Sequence, residues 1–442
     1  MESRTADNPF ENGKLIPVYF RLSLPVVLSS IVTIVYNLAD TYFIAQTGDE
    51  LLVAGVSVCA PIFMILMAFG NIFGQGGSSL LSRLLGGKHL EDAKNVSAFC
   101  FWIALLTGAV TGGLLLLLRE PFLRLLGASD SVLPHARAYG TMLLAGAPLI
   151  VVNFIHMNLL RCEGMASHSM VGTLIGAVVN IILDPLMIPP MGAAGAALAT
   201  VIGYACADVF LLTVVLHRSQ SISVRPVLLI KAAFVKSILS IGITAAITNI
   251  ATSLCTILMN QLLLGYGDDK IAAMGIVLKV TMITQMILVG FAFGGVPLIG
   301  YLHGSGRRTE IRKLIRFCLF FLSGVALILT VFLFLAGGRV LRLITPDPAM
   351  IEIGLPMLRW QTAGSLFAGI VLLTTCLCQA SGYAAPALAL SLSRQGVIYV
   401  AVLLAASALW QYSGILAAQC ISDVLSAALA VFILLQRFGT AR

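Results

Sequence analysis

The chain has 442 residues, of which 59% are hydrophobic and only 10% charged, and its mean hydropathy is +1.00. Soluble domains carry about 25% charged residues, so a water-soluble enzyme or binding module is excluded. The formal net charge of +8 does not point to nucleic acid, because Lys and Arg collect in alternate loops between apolar runs.

A polar leader runs to Lys14 and then enters an apolar stretch too long for the h-region of a cleavable signal, so a short cytosolic tail is expected. Apolar runs of about 20 residues, the length that crosses a bilayer core, then recur to the end. Twelve spans are predicted, centred near Ile31, Met64, Leu105, Ile150, Val178, Tyr204, Ala251, Ile287, Ala326, Ile370, Val397 and Leu425. Short turns rich in Gly and Pro separate them, apart from one long basic linker, roughly His217 to Lys236. That linker divides the chain into an N-lobe, residues 1–225, and a C-lobe, residues 226–442, with six helices each. The predicted fold class is an all-α membrane protein of twelve transmembrane helices in two pseudo-symmetric six-helix lobes around a central cleft.

An offset of 220 residues pairs Gly70 with Gly290, Phe73 with Phe293, Gly74 with Gly294, Gly86 with Gly306 and Lys88 with Arg308. With one residue inserted, Gly48-Asp49 also matches Gly267-Asp268. An even number of spans per repeat keeps both lobes in the same orientation, an arrangement suited to alternating access. The basic segments Arg83-Lys88-Lys94, Arg218-Arg225-Lys231-Lys236 and Arg307-Arg308-Arg312-Lys313-Arg316 place both termini in the cytoplasm. Arg119, Arg124, Arg339 and Arg342 are exceptions, in two longer outer loops.

Span 1 carries Pro25, which should bend it, and then Asn37 and Asp40. Pro61, Pro148, Pro185 and Pro297 mark spans 2, 4, 5 and 8 in the same way. Span 5 carries Asn180 and Asp184. Both aspartates lie about five residues before an outer turn, about 7 Å below the mouth, and each asparagine sits one turn earlier on its aspartate's face. A carboxylate at membrane depth is costly and marks an ion or substrate path. Neither has an obvious basic partner, so it must take a proton, bind a cation or reach water when the protein moves. Two such groups close together resist ionising at once. The plainer alternative is that they bond Asn and Thr groups to lock helices together. Tyr36 and Tyr139 reach the same level, Asn153 lies deeper on span 4, and Asp208 in span 6 has no assigned role.

By the repeat, the second-lobe counterpart of Asp40 is Met259. Span 7 instead shows Asn249, Thr252, Thr256 and Asn260 at helical spacing, a stripe that either faces the cleft or bonds helices together. Lys279 and Gln285 stand in span 8, Arg394 in span 11 and Asp423 in span 12. Lys279 and Asp423 lie at matching depth and are expected to form an ion pair, either a structural staple or a second coupling or substrate site. The nine cysteines read as small apolar core residues, since Cys376 and Cys378 lack metal or redox spacing. No histidine pair has metal-ligand spacing, and no phosphate-binding loop is present.

Ser23-Leu24-Pro25 followed by Tyr36-Asn37-Leu38-Ala39-Asp40-Thr41 resembles the first helix of multidrug and toxic compound extrusion (MATE) transporters. Further matches are Gly74 to Gly86, the Leu160-Arg161-Cys162-Glu163-Gly164 turn, Asn180 to Pro185, Gly192 to Thr200, and Gly295 to Tyr301. The resemblance covers the whole chain. It implies export of amphipathic, often cationic drugs in exchange for protons or sodium, with no other cofactor, by a monomer in the plasma membrane. It implies that Asp40, Asn180 and Asp184, with Asn37 beside them, form the coupling site and that Pro25 is a hinge. Some members place coupling acids in the second lobe; with Lys279 and Gln285 in span 8, none is carried over. Candidate substrate contacts are Tyr36, Tyr139, Asn153, Asn249, Thr256, Asn260 and Gln285. The rival reading is a lipid-linked oligosaccharide flippase of the same superfamily, whose anionic head group Lys279 and Arg394 would suit. A membrane-embedded enzyme would need a clustered nucleophile and base or metal ligands, which the sequence does not offer.

Overall fold

The computed structural model describes residues 9–227, 230–345 and 347–439. The start of the expected cytosolic tail and two residues of the basic linker therefore lie outside the described residues. Among those described, nine helices are long and apolar enough to cross a bilayer, and two bent pairs bring the number to eleven. The last element, Ala384–Gly439, has 56 residues, about 80 Å of helix and nearly twice what a bilayer requires. Its backbone leaves helical geometry at Gln411 (φ 50°, ψ −129°), joining two helices. The twelve-span architecture follows.

Spans 1 to 3 are Leu15–Ala45, Glu50–Gly86 and Leu90–Leu117. Span 4 is the bent pair Leu133–Ala145 and Ala147–Cys162, angled at 52°. Spans 5 to 9 are Ala166–Met191, Ala193–Arg218, Ala232–Leu264, Asp268–Gly304 and Arg308–Ile344. Span 10 is the pair Pro348–Ala363 and Ser365–Ala380, at 42°, and spans 11 and 12 divide Ala384–Gly439 between them. Pro61, Pro148 and Pro297 open new helical segments after Cys59, Gly146 and Gly295. A proline in the first turn costs no hydrogen bond, because that N–H has no intrahelical partner. Pro25 and Pro185 lie inside uninterrupted helices, so span 1 is not broken at its proline; Ser29 donates to the Pro25 carbonyl at 2.8 Å.

The internal repeat is visible in the backbone. Gly48 and Gly267 both take positive φ, as do Gly164 and Gly382. The closest match joins the turn after span 5, where Gly192 has φ 57° and ψ −133°, to the turn at Gln411. Three residues on, Gly195 and Gly414 press against the carbonyls of Met187 and Ala406, each in the preceding helix. A side chain in that region costs about 1–3 kcal/mol, so the glutamine of the second copy is strained where the first copy has glycine. Gln411→Gly is expected to stabilise the protein by about 1 kcal/mol, within the cost of such strain, and Gly192→Ala to destabilise it. Thermal unfolding in detergent, followed by loss of monodisperse protein, checks both signs.

The chain separates into two compact units, Met1–Ile243 and Thr244–Arg442. The division falls inside span 7 rather than at 225/226, because the linker is strapped to the first unit. The Ser221 N–H donates to Glu163 at 2.6 Å, the Ser223 N–H to Ser97 at 2.9 Å, and Trp102 Nε1 to the Val224 carbonyl at 2.9 Å. Lys231 pairs with Asp92 at 2.9 Å. The first turns of span 7 then lie against span 2, where Gly76 and Gly242 leave room for the backbones of Ile238 and Ile72. Two arginines near span ends are ion-paired: Arg124 with Asp130 at 2.8 Å and Arg137 with Glu120 at 2.9 Å.

Candidate functional site

Spans 5 and 6 cross closely at Gly176 and Gly203, where a β-carbon on Gly203 would collide with the Gly176 carbonyl. That approach, one turn from Asn180, lets side chains of the two helices bond directly. The Asn180 amide donates to Asp184 Oδ1 at 3.2 Å and to Thr200 Oγ1 at 3.3 Å. Asn180 is 1% exposed and Asp184 0%, so both N–H bonds of the amide are made out of reach of bulk solvent. Tyr36 of span 1 hydrogen-bonds Thr200 from the other side, and Asp40 lies one turn further along span 1. Asp40 and Asp184 feel each other's charge. Tyr139, from the first helix of span 4, lies within electrostatic reach of both and of Tyr204.

The amide donors of Asn180 are used up while several acceptors of the site are not. Asp40 Oδ1, Asn180 Oδ1 and Asp184 Oδ2 are buried without a hydrogen-bond partner. Among the described residues neither aspartate is ion-paired to a Lys, Arg or His. Buried oxygens of this kind are costly unless something positive meets them. Two carboxylates with amide and hydroxyl oxygens suit a proton or a small monovalent cation. Among the described residues no three His, Cys, Asp or Glu side chains converge as a metal site.

Other expected members are placed elsewhere. Asn37 is exposed on span 1 and makes no side-chain bond to Asp40; its carbonyl accepts from Thr41 at 2.8 Å. Asn153 is buried but donates to Asp208 Oδ1, at 2.8 Å, rather than to Asp40 or Asp184. Thr200 and Tyr204 are additions from the structure, and Asp208, without a role in the sequence reading, gains Asn153 as its partner. The spacing of four residues puts Thr200, Tyr204 and Asp208 on one face of span 6, a signal present in the sequence.

In the second unit the expected Lys279–Asp423 pair does not form. Asp423 accepts from Arg394 Nε at 2.8 Å and from Gln419 at 3.1 Å. Asp423 is 1% and Arg394 9% exposed, so the pair is sealed inside the unit. Lys279 is exposed because span 8 packs on spans 9 and 10, not on span 12. Next to Arg394, Gln395 accepts a bond from Thr252 of span 7 at 2.8 Å. The hydroxyls of Thr248 and Thr256 each donate to the carbonyl four residues earlier, at 2.8 and 3.0 Å, while the single O–H of Thr252 is shared between Gln395 and the Thr248 carbonyl, the latter at 2.9 Å. Asn249 is exposed, and Asn260 and Gln285 are half-buried.

A family model described as MatE matches residues 25–186 and 244–404. Multidrug export protein MepA of Staphylococcus saprophyticus subsp. saprophyticus is 30% identical over 431 residues, covering 96% of this chain and 94% of that protein. MepA of Staphylococcus aureus strain MRSA252 is 29% identical with the same coverage. A solved structure described as the outward-facing conformation of a multidrug resistance MATE family transporter of the MOP superfamily matches with a TM-score of 0.92. It is 22% identical and covers 99% of both chains.

Proposed function

The chain belongs to the MatE family, and from that premise we propose that it is a multidrug exporter driven by inward movement of protons or sodium. Its substrates are small amphipathic molecules, often cationic, and its place is the cell membrane, as a monomer with both termini in the cytoplasm. The observation that carries the coupling is the set of buried, unpartnered oxygens on Asp40, Asn180 and Asp184 in the first unit.

A cation arriving from outside neutralises the Asp40–Asp184 site, and a cationic substrate then loses the counter-charge that favoured it. Neutralisation also removes the cost of holding two carboxylates in a low-dielectric region, so loaded and unloaded forms prefer different surroundings. That difference is what lets a bound ion shift a conformational equilibrium. Pro25, in the helix that carries Asp40, is the proposed hinge. The flippase reading loses one of its two cations, since Arg394 is already bound to Asp423.

The test is ethidium efflux from vesicles under an imposed proton gradient or an imposed sodium gradient, one at a time. Efflux is expected to follow one gradient and to stop when it is collapsed. Efflux indifferent to both would overturn the antiport reading.

A further inference from the structure

Asp208 is a buried carboxylate in span 6 that the coupling site does not use. It is 8% exposed, and its partner Asn153 is 4% exposed. The Asn153 amide donates to Asp208 Oδ1 at 2.8 Å, while Oδ2 is buried without a partner. This repeats the chemistry of the Asn180–Asp184 pair, in which the amide holds Oδ1 and Oδ2 is left bare. Asp208 lies eight residues inward of Thr200 on the same helix, about 12 Å along the axis. The two pairs are therefore separate stations at different depths.

Three tyrosines lie within electrostatic reach of one station or the other. Tyr204, one turn from Asp208 on the same face, lies within electrostatic reach of it. Tyr36 and Tyr139 are within reach of Tyr204 and of Asp40. A hydroxyl both donates and accepts, so such a series can hand a proton along where carboxylates alone are too far apart.

Span 6 packs against spans 4 and 5, and more lightly against spans 1 and 2. The titratable groups those helices bring to this region are Tyr36 and Asp40, Tyr139 and His156, and Asp184. His156 turns toward span 3, where its ring lies 5.4 Å from that of Phe101. No Lys or Arg is ion-paired to Asp208 among the described residues. One bare oxygen beside one amide and one phenol is too few ligands for a metal cation and enough for a proton.

We propose that Asp208, held by Asn153, is a second proton-binding carboxylate of the first unit, inward of the Asp40–Asp184 site and joined to it through Tyr204, Tyr36 and Tyr139. The inference rests on the antiport reading and narrows its ion to the proton. In the loaded state Oδ2 carries the proton as a neutral carboxyl group. On loading, the proton passes from the Asp40–Asp184 site by way of the tyrosines to Oδ2; on unloading, the O–H bond breaks and water on the inward side takes the proton, leaving a carboxylate that the Asn153 amide stabilises.

The test is infrared difference spectroscopy of the purified full chain in detergent, titrated with acid and then with tetraphenylphosphonium. Wild type is expected to show a carboxylic C=O band that disappears in Asp208→Asn, persists in Asp184→Asn, and weakens when tetraphenylphosphonium is added. An Asp208→Asn spectrum superimposable on wild type overturns the proposal, as does a band indifferent to tetraphenylphosphonium. Should Asp208→Asn not fold, Asn153→Ala must move the same band and the pH at which it vanishes; an unmoved band overturns the proposal equally. Gradient-driven ethidium efflux in vesicles reads the antiport function separately, so either reading can fall without the other.

Discussion

Asp184→Asn and Asp40→Asn are each expected to collapse the steady-state substrate gradient that vesicles sustain against an imposed driving force. One charge crossing 100 mV supplies about 2.3 kcal/mol, enough for about a fiftyfold gradient. An asparagine fills the same space but neither takes a proton nor balances a cation. The substituted carrier is therefore expected to equilibrate its substrate, with the gradient falling to one. The site's packing should survive, since the Asn180–Thr200 bond and the Gly176–Gly203 crossing do not involve the carboxylates. Efflux per folded molecule in matched vesicles is the measurement, and wild-type gradients in both variants would end the coupling hypothesis.

Arg394→Ala is expected to destabilise the second unit by about 3–5 kcal/mol, because it leaves the carboxylate of Asp423 buried and unopposed. Asp423→Ala strands the guanidinium and should cost about as much. Replacing both with apolar residues of similar volume, Arg394→Met with Asp423→Leu, should recover most of the loss, since such exchanges are often neutral or stabilising. Thermal stability of the four proteins in detergent gives the cycle. An Arg394→Ala protein as stable as wild type would mean that the pair is not sealed. Transport by the double variant then separates a staple from a coupling site: near wild-type efflux identifies a staple.

Span number was legible in the sequence, and rotation about the helix axis was not. Lipid forces each crossing segment to satisfy its own backbone, so long apolar runs give the count directly. Counting residues to a turn puts Asp40 and Asp184 at one level, and the two lie within electrostatic reach of each other. Lys279 and Asp423 also share a level, yet Lys279 faces outward and Arg394 holds the acid. Asn153 and Asp208 are 55 residues apart in sequence, and nothing local tells one asparagine to seek that aspartate. Broken spans were half legible. Pro61, Pro148 and Pro297 each open a segment, whereas the bend at Gly364 has no proline beside it. A glycine that permits a break reads the same in sequence as one that permits close packing.

Thr248 and Thr256 of span 7 have spent their hydroxyls on their own helix, which inverts what their names suggest. With those O–H groups folded back onto carbonyls, what each side chain has left to offer a neighbour is a methyl group. A molecule passing along Thr248 and Thr256 would meet methyl groups, with the Thr252–Gln395 bond a fixed polar point between them, a surface that grips many shapes weakly and none by pattern. Indifference to the identity of the cargo would then be a property of backbone hydrogen bonding rather than of any dedicated recognition group.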